Sequence, residues 1–504
     1  MSLPNLPIEL IIRICQFLSA NELATFIRLS SSCQEIAKPI LYRNIEIHYQ
    51  HKAISCLKAL LQQSGPGSGS EDTLGFVKSL SLRLGYAAQQ KSFTDLLVTC
   101  LGRMPNLEEF IFDTKNGTFA PRILKALSVS RITLRRLSIV FDDYTSTRDS
   151  WDFDGLDRLP VDDPQEFPEF PELREVSLDT DHNPPYPPML EQYLQTLIYN
   201  HSKQLERIEL VGYTSHRFLK TTTSSADDGY TTFTFPKVEY LHIPPQATIS
   251  PSILEQFPNI TSLSISTLSN RSYESGLIPP NVATKIKSLS ASSSLIRSTK
   301  VLEARRRDGL EEVRLDGAVF NWVPPNMKME MNMEPPKWED TLEVLEMLGT
   351  ETTTERKEKE GGGVKKLSLL VKSLEAADWV PIIPHLETLE SLTICLSEDL
   401  YSHKLALFGE LVLSKLPNLQ ILLFSDSHRF RYHNDPSFSR FQNAGNPGLQ
   451  ELVLDGWEEK GYMPNLLRRV SFTSLFAWNR EDKDGKRIWV SEPPPRDPYM
   501  FALQ

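Results

Sequence analysis

From residue 77 onward the aliphatic residues recur in one short pattern, apolar at the first, fourth and sixth positions with variable residues between. Val77, Leu80 and Leu82 form one copy, and further copies start at Leu107, Leu134, Leu173, Leu205 and Val238. Others start at Ile260, Ile286, Leu310, Leu342, Val364, Leu389, Leu419, Leu449 and Leu467. Side chains alternate along an extended strand, so the fourth and sixth residues share one face and the fifth points to the other. In the copy from Leu389, Leu392 and Ile394 thus face a core, while Ser391 and Thr393 face outward. Many copies begin just after a proline, as in Pro105-Asn106-Leu107, Pro258-Asn259-Ile260, Pro417-Asn418-Leu419 and Pro447-Gly448-Leu449. Proline restricts the residue before it, so a helix stops there and a strand starts. Segments between copies have helical spacing instead, with Phe93, Leu96, Leu97 and Leu101, then Tyr193, Leu194, Leu197 and Ile198, then Phe408, Leu411, Val412 and Leu413. The pattern predicts an α/β fold in which strands alternate with helices and lie parallel.

The copies are commonly spaced by roughly 22 to 33 residues, and in this they resemble leucine-rich repeats. That resemblance implies a solenoid over 77–479, with a parallel sheet on its concave face and helices outside. The repeats depart from the regular pattern: the asparagine expected three positions after the sixth residue is generally missing, and Leu134 and Leu173 lie 39 residues apart. The expectation is an irregular horseshoe. Its outward fifth positions, Ser138, Ser177, Glu209, His242, Ser264, Arg314 and Thr393, are the candidates for contact with a bound protein. Longer connections fall at 62–73, 142–172, 213–234, 322–338, 350–363 and 425–446, all rich in Gly, Pro, Ser or charge.

Before the repeats, Leu3 to Tyr42 reads as three short amphipathic helices. Leu10, Ile14, Phe17 and Leu18 share one helical face, with Pro7 in the first turn. Ser19 with Glu22, and Ser32 with Glu35, have the spacing of capping boxes and mark two further helix starts. Helices this short are marginal alone, so their apolar surface calls for a partner or for the domain that follows. Leu6-Pro7, Glu9-Leu10, Ile14, Leu18, Leu23, Cys33 and Pro39-Ile40-Leu41-Tyr42 together resemble the F-box in its fungal form, over 1–47. The resemblance implies that Leu6, Pro7, Leu10, Ile14, Leu18 and Leu23 bind a Skp-type adaptor, and through it a cullin and a RING subunit. Cys33-Gln34-Glu35 stands where many members of that family carry a tryptophan.

Composition narrows the remaining classes. The 504 residues include no apolar run long enough to span a membrane, and Glu9, Arg13 and Gln16 break up what would otherwise resemble a signal peptide. Five cysteines are scattered without a C-x-x-C pair, which indicates neither a disulfide framework nor a zinc cluster and fits a reduced cytoplasmic or nuclear setting. The formal charge of −11 argues against general nucleic-acid binding. Most of that charge sits between Asp142 and Glu172, a proline-containing stretch read as a solvated loop. Gly65-Pro66-Gly67-Ser68-Gly69 lacks nucleophile-elbow spacing, and Gly361-Gly362-Gly363-Val364-Lys365-Lys366 lacks the P-loop pattern. Alternating methionines from Met327 to Met333 lack the Cys or His company a soft metal would want. The basic run Arg305-Arg306-Arg307 fits a solvated helix face better than an oxyanion site.

The expectation from sequence is therefore a non-catalytic protein without cofactors: an adaptor-binding leader at 1–47, a connecting segment at 48–76, repeats at 77–479 that bind a protein target, and a charged, proline-rich tail at 480–504. The function this implies is substrate recognition for an SCF-type ubiquitin ligase. The alternative is a scaffold that keeps the same partners without promoting ubiquitination.

Overall fold

The computed structural model describes residues 6–63, 72–86, 91–115, 121–142, 168–180, 188–211, 219, 234–243, 251–265, 278–299, 309–315, 338–349, 364–371, 374–396, 400–426, 447–473, 476–483 and 486–492. The acidic stretch between 143 and 167, the methionine run, Arg305–Arg307 and the glycine clusters at 65–69 and 361–363 lie outside these residues. Two compact units divide the chain, Met1–Ala247 and Thr248–Gln504.

The first unit opens with three helices, α1 (Ile8–Phe17), α2 (Ala20–Ile27) and α3 (Ser31–Leu41). Ser19 caps α2 with a complete capping box: its hydroxyl accepts from the Glu22 N–H, and its own N–H donates to Glu22 Oε2 at 2.7 Å. The second expected box is not used. Ser30, not Ser32, caps α3, accepting from the Cys33 N–H at 3.1 Å, because in the run Ser30-Ser31-Ser32 the earliest serine takes the extended backbone a cap requires. The triplet's interior is small: Cys15, Leu23, Phe26 and Ala37 are buried, with Ile11, Leu18 and Ile36 among the residues packed around them.

Only Tyr42 and Arg43 separate α3 from the first strand, β1 (Asn44–Ile47). The stretch 48–76, read from sequence as a connection, holds α4 (Gln50–Gln63), whose Ala53, Leu57 and Leu60 at i, i+4 and i+7 are buried. Next come β2 (Ser79–Tyr86), β3 (Glu109–Lys115), β4 (Arg136–Asp142), β5 (Glu175–Thr180), β6 (Arg207–Val211) and β7 (Tyr240–Ile243). Each pairs parallel with the strand before it, in chain order. Helices Lys91–Leu101 and Pro188–Asn200 fall between strands where the spacing predicts them.

In the second unit, β8 (Ser262–Ile265), β9 (Ser288–Ser290), β10 (Glu312–Leu315), β11 (Lys366–Val371), β12 (Ser391–Leu396), β13 (Ile421–Asp426) and β14 (Arg469–Thr473) again pair parallel in chain order. An antiparallel hairpin follows, β15 (Phe476–Lys483) and β16 (Lys486–Glu492), with β15 on the edge of β14. The last expected segment, 480–504, therefore begins inside a strand.

The repeat pattern holds at all but two copies, with a strand starting two residues after the first apolar position. Leu389, Leu392 and Ile394 are buried, as are Leu419, Leu422 and Phe424, while the residues between them are only partly so. Burying each such side chain contributes about 1.5–3 kcal/mol. The copies from Leu342 and Leu449 are helical instead, lying in Trp338–Gly349 and Pro447–Glu459. Pro447 is the first residue of its helix, where its missing N–H costs nothing, so this proline opens a helix instead of closing one. Gln450, Leu454 and Trp457, at i, i+4 and i+7, are the buried residues there, a helical period that overrides the two leucines three apart.

Side-chain bonds link successive copies. At several copies the residue just before the first apolar position sends a side-chain donor to a backbone carbonyl near the start of the preceding copy. Asn106 Nδ2 donates to Gly75 O at 2.7 Å, Lys285 Nζ to Pro258 O at 2.6 Å and Asn418 Nδ2 to Glu387 O at 2.7 Å. Thr133 and Thr388 make the same link through their hydroxyls, to Pro105 O at 3.0 Å and Val364 O at 3.1 Å. These bonds satisfy turn carbonyls that no strand pairs.

Candidate functional site

Among the described residues, one flank of α1 and the outward face of the sheet are open to a partner. On α1, only Cys15 is buried, with Ile11 and Leu18 turned toward the core of the triplet. Leu10 (46% exposed), Ile14 (42%) and Phe17 (84%) form a stripe at i, i+4 and i+7 on one side of that contact. Ile8 and Ile12 lie exposed on the other side, and Leu29 just past α2 is exposed as well. Glu9, Arg13 and Gln16 occupy the remaining arc. The apolar arc of α1 is thus wider than the packing it receives from α2 and α3.

The sequence-predicted residues divide accordingly. Pro7, Leu10 and Ile14 are exposed, Leu6 is half-buried, Leu18 packs inward, and Leu23, only 5% exposed, belongs to the triplet's core. Phe17 was absent from the predicted site, although its spacing from Leu10 and Ile14 already puts it on their stripe. Exposure that reaches 84% is what sequence could not supply.

On the sheet, register lines up the fifth positions. Ser138, Ser177, Glu209 and His242 are successive partners across β4 to β7. Ser264, Ser290, Arg314, Ser368 and Thr393 are successive partners across β8 to β12. The predicted residues therefore form one row in each unit. Ser138 is nearly covered, Arg314 is exposed and the others are half-buried.

Beside the first row runs a charged one. Arg136 reaches Glu109 at 3.0 Å and Glu175 at 3.5 Å, and Arg207 lies 3.7 Å from Glu209 with its guanidinium 3.7 Å above the Tyr240 ring. Half-exposed pairs of this kind are each worth little in stability. His242 sits among them. Burial, and next the Arg207 charge, hold its imidazole down to about 4, so it is neutral at physiological pH.

The second row has a different character. Serines dominate it, Arg314 pairs with Glu312 on its own strand at 2.8 Å, and the neighbouring row places Lys366, Ser391, Ile421 and Arg469 in register. Among the described residues, no group of three or more His, Cys, Asp or Glu is placed to hold a metal ion, and no helix is long and apolar enough to cross a membrane. Searches against known protein families and against curated proteins return no match to the chain.

Proposed function

We propose that the protein is the substrate-recognition subunit of an SCF-type ubiquitin ligase. The α1 stripe docks on a Skp-type adaptor, and the outward face of the repeat sheet, the lining of a leucine-rich-repeat solenoid, holds a protein target. The observation that carries this reading is the stripe itself: Leu10, Ile14 and Phe17 stay exposed on a helix whose own core is already filled. A small helical triplet gains little by leaving such residues in water, whereas a partner groove covers helical anchors at this spacing. Catalysis on this reading is proximity, since holding a target near a ubiquitin-charged conjugase raises effective concentration without any reacting residue in this chain.

The test is co-purification with adaptor and cullin. Changing Leu10, Ile14 and Phe17 to alanine is expected to abolish adaptor binding, each anchor contributing about 2 kcal/mol, while the melting temperature stays put because the three side chains lie outside the core. Retention of the adaptor by the triple variant overturns the docking reading. Capture of adaptor without cullin favours the scaffold alternative.

A further inference from the structure

Of the strands β8 to β14, only β13 carries aliphatic residues at its first two outward positions, Ile421 and Leu423, where its neighbours carry hydroxyls or charges. Both are partly exposed. Register sets Ser391 and Thr393 beside them on β12, with Lys366 one strand further out, and Arg469 beside Ile421 on β14. Lys366 is exposed, and neither it nor Arg469 has an ion-pair partner among the described residues; Arg469 Nε makes no hydrogen bond either. Three strand spacings separate the two cations, about 14 Å. Two positive charges without an ion pair among the described residues thus bracket an aliphatic and hydroxyl floor, and Glu312, beside Lys366 on β10, is already paired with Arg314.

We propose that this part of the sheet binds an extended acidic peptide segment, with an aliphatic side chain on Ile421 and Leu423 and anionic groups at Lys366 and Arg469. The proposal deepens the target-binding reading above and rests on it. An extended chain advances about 3.3 Å per residue, so anions that reach both cations stand about four residues apart with the aliphatic residue between them. Serine and threonine hydroxyls on the floor donate to the peptide backbone or to the anions. Carboxylate and phosphate share this chemistry, and either source of charge suits the site.

Panning a random peptide phage library on the immobilised full-length chain, without adaptor, tests it. Enriched sequences are expected to hold two acids about four residues apart around Ile, Leu or Val, and the enrichment is expected to vanish on Lys366→Glu. No enrichment, or enrichment of sequences lacking acids, overturns the proposal. The best sequence is then measured by fluorescence anisotropy in glutamate, phosphoserine and glutamine forms. At least one anionic form is expected to bind tenfold or more tighter than the glutamine form, with affinity falling as salt rises. Tighter binding of the phosphoserine form than of glutamate assigns phosphate, and equal binding assigns carboxylate. Lys366→Glu is expected to cost fivefold or more in affinity with an unchanged melting curve, since the Lys366 side chain is exposed; unchanged affinity overturns the assignment even if Arg469→Glu fails to fold. With no adaptor in the assay, its failure and a failure of adaptor docking are separate results.

Discussion

Gly409 shows how much one hydrogen atom can decide. A Cβ at this position would overlap the indole of Trp457, which is buried and donates its N–H to Leu405 O at 3.0 Å. Alanine is intrinsically better than glycine in a helix by about 1 kcal/mol, yet here the two helices Ser402–Leu411 and Pro447–Glu459 could not keep their separation. We expect Gly409→Ala to destabilise by about 2 kcal/mol in urea titration, against the propensity scale. His242 gives a second prediction at this scale. Its free imidazole titrates at 6.5, whereas in the fold it is held down to about 4. The unfolded chain therefore takes up the proton first, and stability present above pH 6.5 is lost as pH falls toward 4. The loss is about 1–3 kcal/mol, and His242→Gln should reduce the slope of stability against pH over this window. His201 adds to the same trend: burial lowers its pKa, and its Nε2 must stay unprotonated to accept the Phe170 N–H at 2.8 Å. None of these roles was legible in sequence, because a glycine or a histidine shows no neighbours until distant turns are brought together.

Elements were more legible than residues. Apolar residues at positions one, four and six locate a strand wherever a buried parallel sheet is the only place for all three, and that held from β2 to β14. It failed at Leu342 and Leu449, where apolar residues three apart also satisfy a helix, and only the buried set Gln450, Leu454 and Trp457 reveals which period won. β1 escaped although Ile45 and Ile47 stand at the fourth and sixth positions, because an aromatic residue, Tyr42, takes the first place and closes the helical leader; β15 and β16 lack the pattern and read as charge and proline-flanked polarity. The side-chain links between copies were also missed, although a polar residue recurs just before the first aliphatic one. Asn106→Ala and Asn418→Ala should each cost about 1 kcal/mol, read from denaturant midpoints, because each leaves a turn carbonyl without its donor. Within the leading triplet the two kinds of leucine separate cleanly. Leu23→Ala is expected to destabilise by about 2–4 kcal/mol, whereas Leu10→Ala should leave the melting curve in place.

At the scale of the whole chain, alternating strands and helices were readable, and so was the row of outward residues that register assembles. The partition of the leading apolar residues into core and surface was not, because periodicity reports a face and never what covers it. The C-terminal hairpin carries the last prediction. Trp478 Nε1 donates to Gln450 Oε1 at 2.6 Å, and Arg480 pairs with Glu458 and reaches the carbonyl of Leu467 at 3.3 Å, so β15 is stitched to the helix and turn before it. Ending the chain at Thr473 would uncover the edge of β14 and remove the Trp478 donor of Gln450. We expect that truncation to lower the melting temperature and to promote self-association, visible by light scattering.

The two-residue joint between α3 and β1 has a mechanical meaning. Arg43 O accepts from both Lys78 N and Ser79 N, at 2.8 and 3.0 Å, so the bend is bolted to the next strand instead of swinging on a tether. Whatever clasps the leading helices thereby sets the aim of the sheet's first strands, as a gunsight is zeroed to its barrel. A few glycines inserted after Tyr42 would leave the helices and the strands as they are and spoil only the aim.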